Sequence, residues 1–279
     1  MIATSSPISD PAGGAGANTI HFGLAELDLL TAHAGVRMPY PLRVPCYGRT
    51  GAERTAVLAM AGATLAAGGL ADDAGPTGLA AELVTALRTQ RRTVDLVLTG
   101  LAGGPVGVLA LRYGRAALVC RQSLTPAHAN QVEVIRLGQD ELAEELWRDV
   151  PRLSGAVVVP ISLEAGVLAA ASSAAGEPED ATEDRLRALT RAAGGDPGEL
   201  DRLAELLPAV TGRGQLGATF AGRRTAELSW LDSPFGRVRI DHGSDGWASV
   251  NPLHPKDIHR FILGLASGVA ESDTRGDAL

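Results

Sequence analysis

Hydrophobic and polar residues alternate along several short runs of the chain, and this period-two pattern predicts two groups of β-strands. The second group lies within residues 214–252, where Ala226, Leu228 and Trp230 would share one face of a strand. The turns between neighbouring runs are too short for a parallel crossover. Each group is therefore predicted to form a four-strand antiparallel meander. The first meander comprises residues 94–99, 106–112, 116–122 and 131–137.

Apolar residues at helical spacing flank both meanders. Thr50 and Glu53 have the spacing of a capping box at a helix start, and Thr77 is placed to cap the next helix. The prolines between residues 39 and 45 predict an extended segment, either an edge strand or an irregular connector. The remaining predicted helices cover residues 24–34, 138–149, 161–175, 182–193, 197–207 and 255–270.

The two halves repeat the same order of elements, with helices, a meander and a closing helix, at an offset of about 120 residues. We predict an α+β fold in which halves 21–150 and 151–270 are related by a quasi-twofold axis and form one domain. Each half would contribute its meander to a central sheet flanked by helices. A chance likeness of two α+β halves is the alternative. Residues 1–20 are predicted to be a disordered tail and residues 271–279 a flexible one.

Composition narrows the classes of partner and the compartment. The 279 residues are 45% hydrophobic, which fits a globular protein, and the net charge is −7 without a basic block. That balance argues against a nucleic-acid surface or an anionic membrane as partner. The two cysteines form no CxxC motif, which fits a reducing compartment. With no predicted signal peptide and no membrane-inserting segment, we expect a cytoplasmic protein.

The sequence contains little that predicts catalysis. The glycine-rich stretch at residues 101–107 leads into a strand, whereas a phosphate-binding loop must lead into a helix. The six histidines lack metal-site spacing, and no GxSxG motif is present. We therefore expect no catalytic residue, no metal and no cofactor. Phe235, an aromatic residue in a predicted turn, is a candidate for partner contact.

Motifs spread along the chain resemble the ESX (type VII) secretion-associated EspG family. The similarity covers nearly the whole chain after about residue 20, and the order and spacing of the motifs carry it. Phe22, Leu24, Glu26, Leu27, Asp28 and Leu30 are similar to the opening helix of that family. The other matching stretches are residues 48–54, 214–217, 232–237 and 246–252.

The resemblance implies a non-enzymatic, cytosolic chaperone with an EspG-like fold. Such a chaperone binds the apolar tip of PE–PPE-like heterodimers, keeps them soluble and directs them to the secretion system. A homodimer is compatible with this role when no client is bound. The family's contact regions correspond here to the loop with Leu101, Ala102 and Pro105 and to helices 182–207, with Pro197, Leu200 and Leu203 as candidates. The two leucines are equally consistent with a core position.

Two other classes of function remain as alternatives. One is a small-molecule-binding α+β enzyme whose site is assembled through space, and the other is a structural or regulatory module that dimerises. A chaperone predicts a broad exposed face with an apolar centre. An enzyme predicts a concave site where titratable groups converge.

Overall fold

The computed structural model describes residues 18–157, 160–167, 179–243 and 246–267, and these form one ten-stranded antiparallel sheet with helices on both faces. The N-terminal half contributes β1 (Thr19–Gly23), β4 (Arg92–Thr99), β5 (Val106–Tyr113), β6 (Ala116–Ser123) and β7 (Gln131–Gly138). The C-terminal half contributes β8 (Ile161–Glu164), β9 (Gly212–Phe220), β10 (Arg223–Ser233), β11 (Gly236–His242) and β12 (Trp247–Pro252). A separate small hairpin pairs β2 (Ala71–Asp72) with β3 (Gly75–Pro76).

The described helices flank this sheet. The N-terminal half has α1 (Leu24–Ala34), α2 (Gly51–Ala67), α3 (Gly78–Thr89) and α4 (Leu142–Asp149). The C-terminal half has α5 (Glu179–Ala192), α6 (Pro197–Leu206), a 3₁₀ turn at Leu207–Ala209 and α7 (Pro255–Ser267). Thr50 and Glu53 form the predicted capping box at the start of α2. None of the described helices has the length and apolar character required to cross a membrane.

The strand order reveals the quasi-twofold symmetry. The sheet runs β1-β7-β6-β5-β4-β9-β10-β11-β12-β8, and the two halves meet where β4 pairs with β9. Leu96 lies directly opposite Leu216, which is its counterpart in the second half at the offset of 120 residues. A twofold axis that passes through this pair, perpendicular to the sheet, exchanges the two halves. Equivalent elements of the two halves therefore lie on the same face of the sheet. The predicted α+β fold with two meanders joined in a central sheet is confirmed.

The outermost strand of each half was not predicted. β1 begins at Thr19, where the sequence predicts a tail, and β8 occupies the first four residues of the predicted helix 161–175. Ile161 and Leu163 point into the core while Ser162 is exposed, so this short segment alternates as a strand. Residues 168–175 of that helix lie outside the described residues, as do 1–17 and 271–279 of the predicted tails. Segment 39–45 is an irregular connector.

Helices α4 and α7 cover one face of the sheet and contact each other near the axis. Nε2 of His259 on α7 lies 2.9 Å from Oε1 of Glu144 on α4. Trp230 is 1% exposed in the core beneath the helices. A Cβ added to Gly214, its cross-strand neighbour, would lie 2.0 Å from the indole ring, so the ring occupies the space that glycine leaves open. This core also contains Leu96, Leu98, Val108, Leu216, Leu228, Leu146, Ile258 and Ile262.

The opposite face carries two separate helical layers. Helices α1, α2 and α3 pack over β1, β5, β6 and β7, and α5 and α6 pack over β8 and β10–β12. Among the described residues, strands β4 and β9 contribute nothing to either apolar cluster. The part of this face that follows β4 and β9, between the two layers, we call the central face.

The two cysteines lie in contrasting environments, which leads to a first prediction. Cys120 is buried on β6, and burial raises the pKa of its thiol to about 12, whereas Cys46 is exposed. At pH 8 a thiol with that pKa is about one part in ten thousand thiolate, and thiolate is the reactive form. We expect a chromogenic disulfide reagent to titrate one thiol in the native protein and two in denaturant. Rapid reaction of both thiols in the native state would contradict the assigned core.

Candidate functional site

The loop between β4 and β5 contains three of the predicted partner-binding residues. Leu101 is partly buried against the core under α4 and α7, Pro105 is partly buried, and Ala102 is exposed. The N–H of Gly104 donates to the Leu101 carbonyl at 2.9 Å and closes the loop. Gly100 has φ +78°, and a Cβ there would lie 2.1 Å from the Thr211 carbonyl oxygen. The loop is thus held tightly, and Ala102 is the side chain it presents.

The turn between β10 and β11 presents Phe235, which is 63% exposed. Ser233 shapes this turn, because its Oγ donates to the Gly236 carbonyl at 3.0 Å and accepts from the Phe235 N–H at 3.2 Å. Gly236 has φ +113°, and a Cβ there would lie 2.6 Å from Cα of Ala156. The positive φ angle and the close approach of Ala156 both require glycine at this position.

A buried ion pair supports the same turn, and the sequence analysis missed it. Arg237 is fully buried, and it donates from Nε to Asp232 Oδ1 at 2.5 Å and from Nη2 to Asp232 Oδ2 at 2.9 Å. Its guanidinium also lies 5.2 Å from the centre of the Trp230 ring. An acid and an arginine that flank a short hairpin turn were a signal for this pairing. The pair fixes the geometry from which Phe235 projects.

The loop and the turn lie at the same end of the sheet. Thr99 pairs with Arg213, and Gly212 pairs with Asp232, so two strand spacings, about 10 Å, separate the ends of β4 and β10. Val157, which is 98% exposed, follows the Ala156 that packs on Gly236, and exposed Leu207 precedes β9. We call these exposed apolar side chains the apolar rim: Ala102, Val157, Leu207 and Phe235.

The predicted contact residues on α6 occupy different positions. Pro197 is the first residue of the helix and is partly exposed, beside Asp196, whose side chain caps the helix. Leu200 and Leu203 are buried against the sheet together with Ile161 and Val250. Their burial matches the core position that the sequence left open as the alternative, and contact of these two leucines with a partner stays a prediction. The helical spacing of the two leucines predicts that one face of α6 is buried. It does not indicate whether the protein's own core or a partner covers that face.

A polar cluster occupies the central face. Arg224 Nη1 donates to Asp95 Oδ1, and Arg224 Nε donates to Glu227 Oε2 at 3.1 Å. Gln215 Nε2 donates to Glu227 Oε1 at 2.8 Å, and the Tyr40 hydroxyl contacts Gln215 Oε1 at 3.2 Å. We call these five residues the polar slot. The Arg224 side chain lies on the sheet and joins β4, β9 and β10.

Glycine at position 217 makes this arrangement possible. Gly217 lies directly opposite Asp95, and a Cβ there would lie 2.1 Å from Nη2 of Arg224, so the guanidinium rests on the bare backbone. Asp95 is 2% exposed, and burial raises the pKa of its carboxyl group although Arg224 acts in the opposite direction. The slot therefore holds a poorly solvated carboxylate near the middle of the sheet.

A cavity of about 620 Å³ lies between the end of α1 and the start of α2. Its buried carboxylate, Asp28, binds both terminal nitrogens of Arg54 at 2.9 and 3.1 Å and accepts the Tyr47 N–H at 2.9 Å. Cys46 Sγ lies 2.9 Å from the same guanidinium. These contacts tie the start of α2 to α1. In the part of the chain that the structure describes, no three His, Cys, Asp or Glu residues cluster in a way that could hold a metal ion.

Comparison with known proteins identifies a family and a fold. The model of the EspG family matches residues 24–262 of the chain. No curated protein matches the sequence. A chain in the structure of the Mycobacterium tuberculosis type VII secretion system chaperone EspG5 in complex with the PE25-PPE41 dimer is similar in fold, with a TM-score of 0.58 and 14% sequence identity. The similarity covers 88% of this chain and 95% of that one.

Proposed function

The chain belongs to the EspG family, and from that premise we propose that it is a chaperone of type VII secretion whose client is a PE–PPE-like heterodimer. The family match over residues 24–262 carries the proposal. The shared fold supports it, since the similar chain comes from a structure of a chaperone, EspG5, with the PE25-PPE41 dimer. The role that we propose is cytoplasmic and non-enzymatic.

We propose the apolar rim as the docking surface for the client. A helical bundle with an exposed apolar tip associates at random unless a partner covers it. A binder that covers the tip shifts the population towards the soluble complex by mass action. Val157 and Phe235 offer such a tip two large exposed side chains at one end of the sheet, and the Asp232–Arg237 pair holds Phe235 in place. A rigid aromatic anchor loses little entropy on binding.

Co-purification tests the proposed function. The tagged full-length chain would be co-expressed with each PE–PPE pair encoded in the genome from which it comes, with PE25–PPE41 as an additional pair. We expect at least one pair to be retained as an equimolar complex in size-exclusion chromatography, and an unrelated helical bundle of similar size to pass through. A homodimer of the client-free chain is compatible with the proposal, because the apolar rim would then be uncovered. If every soluble pair passes through unbound, the proposed function is wrong.

A further inference from the structure

The polar slot contains a buried acceptor that lacks a donor. Oδ1 of Asp95 receives the Arg224 N–H, but Oδ2 has no hydrogen-bond partner among the described residues. Most buried polar atoms in proteins are paired, because an unpaired one loses its hydration without compensation. Within the described part of the chain, the unpaired oxygen therefore marks a position that a donor from a partner could occupy.

The same fold satisfies another buried carboxylate completely. Asp28 is 5% exposed, is paired with Arg54, and accepts three N–H groups in all. Both acids are buried beside an arginine, yet only Asp95 has an oxygen without a donor. The difference lies in their positions, since Asp28 lies between α1 and α2 whereas Asp95 lies on the central face.

A partner can approach Asp95 without opening a helical layer. Among the described residues, neither apolar cluster includes a residue of β4 or β9, and the charged groups next to the carboxylate, Arg224 and Glu227, belong to the polar slot. Arg224 stays bonded to Asp95, whereas Tyr40 and Glu227 are exposed and reach the slot only with the ends of their side chains. Such ends can move aside at small cost as a partner docks.

We propose that Asp95 caps a helix of the client, with Oδ2 accepting a backbone N–H from the first turn of a helix at the client's tip. This inference rests on the proposed function. The tip of a helical bundle consists of helix ends, and the first four N–H groups of a helix have no partner within it. A helix N-terminus also carries a partial positive charge that carboxylates stabilise. Glu227 supplies a second carboxylate at the slot.

The surroundings favour an N–H donor over a fully charged cation. Arg224 already bonds both carboxylates of the slot, and Arg213 projects from the same side of β9. The surface is therefore mixed in charge, and a lysine from the client would meet these arginines. A backbone N–H brings the missing hydrogen bond with only a partial charge.

The first test substitutes the acceptor. Asp95→Asn keeps the shape of the side chain and removes its charge. We expect it to weaken binding of the PE–PPE pair that the wild-type chain retains by about ten-fold to a hundred-fold, the effect of losing a hydrogen bond to a charged group. Asp28→Asn is the matched control, because it removes an equally buried, arginine-paired charge away from the central face. Its affinity should remain that of the wild type in calorimetric titrations.

The second test needs no substitution and remains available if Asp95→Asn fails to fold. Carbon-13 NMR of the Asp95 carboxyl group would be followed against pH in the free chain and in the complex. Donation from the client favours the charged form, so the pKa of Asp95 should fall on binding. A purely structural role for Asp95 would leave its titration unchanged.

The outcomes separate the two proposals. Wild-type binding with an unchanged Asp95 titration, or equal affinity of the wild type and a folded Asp95→Asn variant, overturns the capping role and leaves the chaperone role standing. Absence of any retained PE–PPE pair overturns both. A weakened Asp95→Asn variant, an unaffected Asp28→Asn variant and a lowered pKa in the complex support the capping role.

Discussion

Replacing Trp230 with alanine is expected to lower the free energy of unfolding by about 3–5 kcal/mol, the range for deleting a large buried aromatic side chain. The indole is 1% exposed and fills the core between the sheet and α7. Its loss would leave a cavity, and it would also remove the ring that faces the buried Arg237 guanidinium at 5.2 Å. Urea denaturation followed by circular dichroism measures the change.

Phe235→Ala provides the control for this prediction. Phe235 lies only five residues further along the chain, but it is 63% exposed, so its truncation should change the free energy of unfolding by less than about 0.5 kcal/mol. A loss well below 1 kcal/mol for Trp230→Ala would show that the side chains of β10 alternate in the opposite phase.

The double variant Ala102→Asp with Phe235→Asp is expected to weaken client binding by at least about a hundred-fold. Each substitution would place a carboxylate in an apolar interface, where it loses hydration without gaining a partner. Both side chains are exposed in the free chain, so the free energy of unfolding should change little. Calorimetry with the retained PE–PPE pair measures the affinity, and thermal melting measures the stability.

Met60→Asp is the matched control for the rim variant. Met60 is also a large exposed apolar residue, but it lies on the outer surface of α2, away from the apolar rim. Its substitution should leave the affinity unchanged. If Met60→Asp weakens binding and the rim variant does not, the client docks on a different part of the molecule.

Much of the sheet could be predicted because its strands are short apolar or alternating runs separated by turn residues. Leu228 and Trp230 alternate with the polar residues Glu227 and Ser229, and both lie in the core as predicted. β1 and β8 were missed because each strand is short and a helical segment follows it directly. Phe22 is fully buried on β1, but the adjacent α1 hides the alternation.

The candidate site was harder to predict, since its key contacts depend on three-dimensional detail. In the sequence, Arg224 has the same phase as Ala226, which would place it towards α4 and α7. A bulge between Arg224 and Ala226 shifts the register by one residue and moves the arginine to the central face. Residues far apart in the chain then meet, as Asp95 and Arg224 do, and no local pattern contains that information.

The joining of the halves through β4 and β9 has a consequence for synthesis on the ribosome. The partner of Leu96 is Leu216, so β4 is left with a bare edge until about 120 more residues have been translated, a delay of about 10 s. Unprotected edges recruit other nascent chains, and an inward-pointing charge is one of the devices that discourage this. Asp95 supplies such a charge in the middle of β4, and it is neutralised only when Arg224 emerges with the second meander.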